Sequence, residues 1–142
     1  RRCPQGSVRG IDYSAVSVEK SRKKNRSEIM AGRCEVLQAS VTQLPFEEAR
    51  FDLVTAFETV YFWPELTQSF REVSRVLKPG GTFFICNESS GDTGKDDKWT
   101  EMIEGMTIYR DDRLRAVLEQ AGFHGVEVHK NKKGWLCVTA RK

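Results

Sequence analysis

The stretch from Leu66 to Cys86 constrains this chain more than any other part of it. Leu66, Phe70, Val73 and Leu77 recur at helical spacing and form one apolar stripe. Lys78-Pro79-Gly80-Gly81 then stops the helix, because proline cannot extend it and glycine accepts positive φ, and Thr82 to Cys86 restarts as a strand. Upstream, Phe51 to Phe57 is apolar except at Asp52 and Thr55, the pattern of a strand covered on both faces. Pro64 suits the first turn of the helix between the two strands.

The alternation continues on both sides. Val8 to Asp12 reads as a short strand, and Ser14 as the cap of a helix from Ala15 to about Met30, stopped at Gly32. Cys34 to Gln38 reads as the next strand, after which Pro45 interrupts any ladder. Residues from Ser89 to Lys98 are polar and form a loop, with a short helix expected from Trp99 to Glu104. Leu114, Val117, Leu118 and Ala121 make another apolar helix face, ended by Gly122. Val126 to His129 and Trp135 to Thr139 close the chain as a hairpin turning through Asn131 and Gly134. The order implies an α/β fold with a mainly parallel sheet and one antiparallel strand, in a single domain over residues 1–142.

A chain of 142 residues can bury about two-thirds of its unfolded surface, and 39% hydrophobic with 30% charged residues excludes a disordered polymer. The net charge of +3 permits contact with nucleic acid without arguing for it. Cys3, Cys34, Cys86 and Cys137 are scattered singly, so neither a zinc site nor a disulfide framework is indicated; they read as buried thiols in a reducing compartment. No apolar run reaches the roughly 20 residues that span a bilayer, and Arg1-Arg2-Cys3-Pro4 lacks a signal-peptide core, giving a cytoplasmic reading.

Ile11-Asp12-Tyr13-Ser14, Leu44-Pro45-Phe46, Phe51-Asp52-Leu53-Val54, Arg75 through Gly81 and Ala121-Gly122-Phe123, in this order and spacing, resemble the Rossmann-like S-adenosylmethionine-dependent methyltransferases. The likeness is to the small-molecule enzymes related to ubiquinone and menaquinone biosynthesis, and it runs over nearly the whole chain. It implies a sheet of order three, two, one, four, five, seven, six, with a G-x-G-x-G loop after the first strand. The first strand, its loop and the first helix have no counterpart here, since Gly6 and Gly10 do not reproduce the pattern. Two unpaired strand edges are therefore expected, at the strands ending in Asp12 and Phe57. They would be covered by a preceding segment, by direct pairing or by a second copy in a homodimer. Binding of S-adenosylmethionine by this chain alone is expected to be weak or absent.

By the resemblance, Asp12 accepts hydrogen bonds from the cofactor's ribose hydroxyls and Tyr13 lies against its adenine. A helix-entry role for Asp12 is the plainer alternative. Ser40 and Val41 fall where many relatives carry an aspartate for the adenine amino group; the alternative for Ser40 is a turn serine. Glu58 and Tyr61 suit a sulfonium cation, which carboxylates and aromatic faces attract. Tyr61, Trp63, Asn87, Glu88 and Tyr109 are substrate-side candidates, although Phe62 or Trp63 could instead pack the next helix. Trp99, Met102 and Met106 lie in the lid region of relatives, with ordinary packing preferred for the methionines. Neither His124 nor His129 reads as a base, no catalytic residue is assigned, and no metal is expected.

The function implied is methyl transfer to a small-molecule acceptor, which alignment of donor and acceptor can accelerate without a dedicated base. Two other readings stand beside it. Lys20, Arg22, Lys23, Lys24 and Arg26, with Lys130, Lys132 and Lys133, would serve an RNA methyltransferase or nucleic-acid-binding module, though such clusters are more often solvated faces. The third is a non-catalytic remnant of a methyltransferase.

Overall fold

Two separate ladders of hydrogen bonds organise the backbone, one within residues 1–45 and one within residues 46–142 of the computed structural model, which describes residues 5–92, 94 and 96–142. Cys3 and the rest of the Arg1-to-Pro4 start lie outside the described residues.

In the first unit, β1 (Val8–Asp12) and β2 (Cys34–Gln38) pair in parallel, from Val8 opposite Cys34 to Asp12 opposite Gln38. Ser14 caps α1 (Ala15–Lys24), its hydroxyl accepting the Ser17 amide at 3.3 Å. The single helix expected as far as Met30 is broken at Asn25, and α2 (Arg26–Met30) follows as a separate piece. The cause is local: the Asn25 side-chain amide donates to the Ser21 carbonyl at 2.9 Å, and its backbone leaves helical values at φ −105°, ψ 20°. Arg22 Nε donates to the Val36 carbonyl at 2.8 Å, so this cation is tied to β2 and is not part of a free basic face.

The second unit is built on β3 (Phe51–Phe57), β4 (Leu77–Asn87), β5 (His124–Lys130) and β6 (Leu136–Arg141), in the spatial order β3-β4-β6-β5. β3 and β4 are parallel, and β6 runs against both β4 and β5. The helix between β3 and β4 is α3 (Leu66–Val76), capped by Glu65 in the left-handed region at φ 47°. Pro64 thus stands just before the cap and not in the first turn; its carbonyl accepts the Ser69 hydroxyl at 2.6 Å. The strand hydrogen-bonded after α3 begins at Leu77, five residues earlier than Thr82, and its register against β3 shifts between Phe51 and Leu53 to absorb Lys78 to Gly81. Gly80 takes φ +76°, and a Cβ on Gly81 would lie 2.8 Å from the Lys78 carbonyl oxygen.

One face of this sheet carries Val54, Ala56, Phe83, Ile85, Val138 and Ala140, which alternate along their strands and pack with α3 and α5 (Asp111–Gln120). Phe70, Val73, Val76, Leu114, Val117 and Leu118 complete that core with essentially no exposure. The other face of β3 is open: Leu53 is 55% and Phe57 57% exposed, so the expectation of a strand covered on both faces is not met. The physical reason is that α3 and α5, which pack against each other, cover one side of the sheet only. Met102, in α4 (Asp96–Met102), is 64% exposed and not packed as ordinary core; this helix starts three residues before the expected Trp99.

The hairpin turn follows the sequence. Asn131 Oδ1 accepts the Lys133 and Trp135 amides at 2.8 and 3.1 Å. Lys142 then closes the unit on itself: its ammonium donates to the Leu77 and Arg75 carbonyls at 2.8 and 3.3 Å, where α3 ends, and its backbone bonds both Gly80 and Gly81.

Because the space beside Gly81 is filled by backbone, Gly81→Ala should destabilise the chain by about 1–3 kcal/mol, read as a lower midpoint of urea unfolding with an unchanged slope.

Candidate functional site

Parallel strands bring their carboxyl ends to one edge, and in open α/β sheets ligands bind there. In the first unit that edge carries Asp12. Its Oδ1 accepts the Ser14 amide at 2.8 Å, the helix-entry role, while among the described residues no donor pairs with Oδ2. The Asp12 carbonyl accepts the Ala39 amide at 3.1 Å and the Gln38 side chain donates to the Tyr13 carbonyl at 3.0 Å, so the segments after β1 and β2 are held together. The Tyr13 ring is exposed. Ser40 forms a turn, its hydroxyl 2.8 Å from the Thr42 hydroxyl and 3.2 Å from the Thr42 amide, and Val41 is buried beside it.

In the second unit the corresponding edge joins the ends of β3 and β4. Glu58 leaves β3 with φ +55°, a conformation uncommon outside glycine, and its amide donates to the Cys86 carbonyl at 2.9 Å. Desolvation raises the Glu58 carboxyl above the usual range, against the pull of the Glu88 amide and the Tyr61 hydroxyl. Tyr61, in a short 3-10 turn (Val60–Phe62), is buried; its hydroxyl accepts the Ser89 amide at 2.8 Å and donates to the Ser89 carbonyl at 3.3 Å. Burial pushes the Tyr61 phenol up to about 12, so it stays protonated at any physiological pH.

Asn87 ends β4 fully buried, and among the described residues neither its side-chain oxygen nor its nitrogen has a hydrogen-bond partner. Native interiors leave few such groups, each costing about 1–3 kcal/mol. Glu88 is exposed next to it. Tyr109 is half-buried in the segment leading to α5, and that segment is tied to this edge by the Thr107 amide, which donates to the Tyr61 carbonyl at 2.9 Å. Trp63 is directed elsewhere: its ring stacks on Phe83 at 6.0 Å and meets Phe70 edge-on, so it serves the core and not the substrate edge. Trp99 is exposed on α4, His129 is exposed beside Glu127, and His124 lies at the opposite end of β5.

Three contributors were not expected from the sequence. Ser89 fixes Tyr61, and Asp96 is buried near enough to the phenol to push its titration upward. Lys130 grips both Asp92 and Asp111, the latter at 2.9 Å, joining the loop after β4, the start of α5 and the end of β5. Its charge holds the Asp111 carboxyl below the usual range, and the two carboxylates raise the Lys130 ammonium. Residues this far apart in sequence carry no local pattern. Lys130 is therefore not a free member of a basic cluster. Among the described residues no group of three histidine, cysteine or acidic side chains is placed to hold a metal ion, and no helix is long and apolar enough to cross a membrane.

Residues 1–85 match the family described as the methyltransferase domain. The chain belongs to this family. It is 30% identical over 129 residues to the methyltransferase GfsG of Streptomyces halstedii, which is 86% of this chain and 46% of that protein. It is 37% identical over 90 residues to the demethylmenaquinone methyltransferase of Lactococcus lactis, 63% of this chain and 35% of that one. The chain thus spans less than half the length of these curated relatives. Among solved structures, a chain of the Haloferax volcanii complex containing the Trm112 methyltransferase activator superposes with TM-score 0.87 at 22% identity, over 96% of this chain and 71% of that one. A S-adenosylmethionine-dependent methyltransferase from Aquifex aeolicus gives TM-score 0.77 at 20% identity, over 97% and 70%. The architecture is that of the Rossmann-like methyltransferases.

Two outcomes test this geometry. Tyr61→Phe should cost about 1 kcal/mol, because the Ser89 amide loses its acceptor; equilibrium unfolding reads it. Asp111 titrates lower in the folded chain, so its pairing with Lys130 stabilises above the ordinary carboxylate range and is lost as pH falls through it. The gap in melting temperature between the parent and Lys130→Met should therefore narrow as pH drops from about 5 to about 2.

Proposed function

We propose that this chain forms the S-adenosylmethionine-binding and acceptor-binding part of a methyltransferase that acts on a small, largely apolar molecule, and that both its units belong to one domain. The observation that carries the reading is the family match over residues 1–85, which crosses the boundary between the units. The names of relatives agree in class: a demethylmenaquinone methyltransferase and a 24-methylenesterol C-methyltransferase. We place this chain in a reducing, cytoplasmic setting, the reading that its singly scattered cysteines suggest.

Asp12 fits the cofactor's ribose, since one carboxylate oxygen is committed to Ser14 while the other is free among the described residues to accept from a diol. Tyr13 offers an exposed ring for the adenine, and the Ser40-Val41 turn a backbone edge for its amino group. When bound, S-adenosylmethionine supplies an electrophilic methyl group on a sulfonium centre.

In the second unit, Glu58 offers an exposed carboxylate that suits a cation, and Tyr61, whose hydroxyl is engaged by Ser89, holds that edge in place. Among the described residues the Asn87 side-chain nitrogen and oxygen are both unmet, which a carbonyl or hydroxyl of an acceptor molecule would help satisfy, with Glu88 at the rim. The exposed Trp99 and Met102 of α4 and the half-buried Tyr109 suit the apolar remainder of such a molecule. These groups position and shield the reacting atoms. Tyr61, held protonated, orients and does not abstract a proton.

Isothermal titration of the chain with S-adenosylmethionine and with S-adenosylhomocysteine tests the reading. Weak binding is expected, since Gly6 and Gly10 do not reproduce the glycine-rich loop, and Asp12→Asn, which keeps an acceptor for the Ser14 amide, should weaken it about tenfold further with an unchanged melting temperature. Equal affinity in parent and variant would remove Asp12 from the site, and no heat with either ligand would remove the cofactor reading for this chain.

A further inference from the structure

Cys86 on β4 and Cys137 on β6 stand directly opposite each other in an antiparallel ladder, with their sulfurs 3.4 Å apart. The hydrogen-bond parity of that ladder decides what the pair can do. The Lys142 amide donates to the Gly81 carbonyl, which makes Gly81 and Lys142 a hydrogen-bonded pair. Alternation then puts 83/140 and 85/138 in the same class, and 82/141, 84/139 and 86/137 in the class without mutual backbone bonds. The β5–β6 ladder agrees independently. The Asn131 amide donates to the Trp135 carbonyl, so by the same alternation the backbone polar groups of Cys137 are turned to His129 and away from Cys86. In such a non-hydrogen-bonded pair the Cα atoms approach to about 4.5 Å and the side chains close on each other, inside the window of roughly 4.4–6.8 Å that a disulfide needs. Both residues are partly exposed, as oxidation by a soluble reagent requires.

We infer that Cys86 and Cys137 are an oxidation site that closes to a cross-strand disulfide on meeting a small disulfide oxidant of the glutathione class. One protein thiolate attacks a sulfur of the oxidant, breaks its S–S bond and releases one thiol. The second protein thiolate attacks the resulting mixed disulfide, forms the Cys86–Cys137 bond and releases the other thiol. Two protein thiols are oxidised, one oxidant disulfide is reduced, and the two protons leave with the released thiols. Burial, with the Cys137 thiol alongside, pushes Cys86 up to about 11, so Cys86 is a slow nucleophile at neutral pH and a faster one as pH rises. The Cys86 carbonyl accepts the Glu58 amide and Asn87 is the next residue, so the bond would fasten the end of β4 that carries both to β6.

The test incubates the folded chain with oxidised glutathione near pH 8.5, alkylates the remaining thiols and maps the peptides by mass spectrometry. The expected result is loss of two alkylation sites, a joined pair of peptides containing Cys86 and Cys137, an alkylated Cys34, and full reversal by dithiothreitol. Cys86→Ser and Cys137→Ser should each abolish the joined pair. The same oxidation in guanidinium should scatter the linkages among all the cysteines, which keeps the result tied to the fold even where a serine variant is unstable. Recovery of both cysteines alkylated, stable glutathione adducts on each, a link from either one to Cys3 or Cys34, or an unchanged Cys86–Cys137 preference in denaturant would overturn the inference.

Discussion

The register break between α3 and β4 governs the second unit. Leu77 joins the ladder opposite Phe51 as α3 ends, and the left-handed Gly80 and the side-chain-free Gly81 let the next residues bulge out before pairing resumes with Thr82 opposite Leu53. The parallel pairing of β3 with β4 follows, and with it the apposition of their carboxyl ends. Glu58 and Asn87 become neighbours of one edge only because this short segment sets the phase of β4.

That edge holds polar groups under unusual conditions. Glu58 is bent into a conformation that side chains avoid, Tyr61 is buried with a fully used hydroxyl, and the Asn87 amide is buried with nothing used at all. Around them the structure is firm: the Ser89 backbone clamps the phenol, and Lys130 ties three segments with two carboxylates. Strain and unmet hydrogen-bonding capacity inside a rigid frame are features that accompany binding sites more than they accompany packing.

How much of this could be read in the sequence depends on the range of the interaction. The strands at Val8, Cys34 and Phe51 and the Ser14 cap rest on local patterns and on period-two or helical spacing, and they lie where the pattern put them. The break at Asn25 also has a local cause, but one asparagine inside a run of helix-compatible residues does not mark a stop in the sequence. The Lys130 clamp and the Cys86–Cys137 pair join residues from distant segments, and only the fold, with β6 in register against both β4 and β5, brings them together. Trp63 shows the reverse error: an aromatic beside a candidate site looked available, whereas the ring completes the Phe70 and Phe83 cluster.

The bonds made by Lys142 carry a consequence for biogenesis. The side chain that satisfies the carbonyls at the end of α3, and the backbone that steadies Gly80 and Gly81, belong to a residue more than sixty positions further along. During synthesis the β3-α3-β4 portion would emerge with the Arg75 and Val76 carbonyls already served by the Ala49 and Arg50 amides, and it would gain the Lys142 contacts to Leu77, Gly80 and Gly81 only after the hairpin cleared the ribosome. A nascent chain stalled before the hairpin would thus expose its sheet to chaperones or proteases for longer than a completed one.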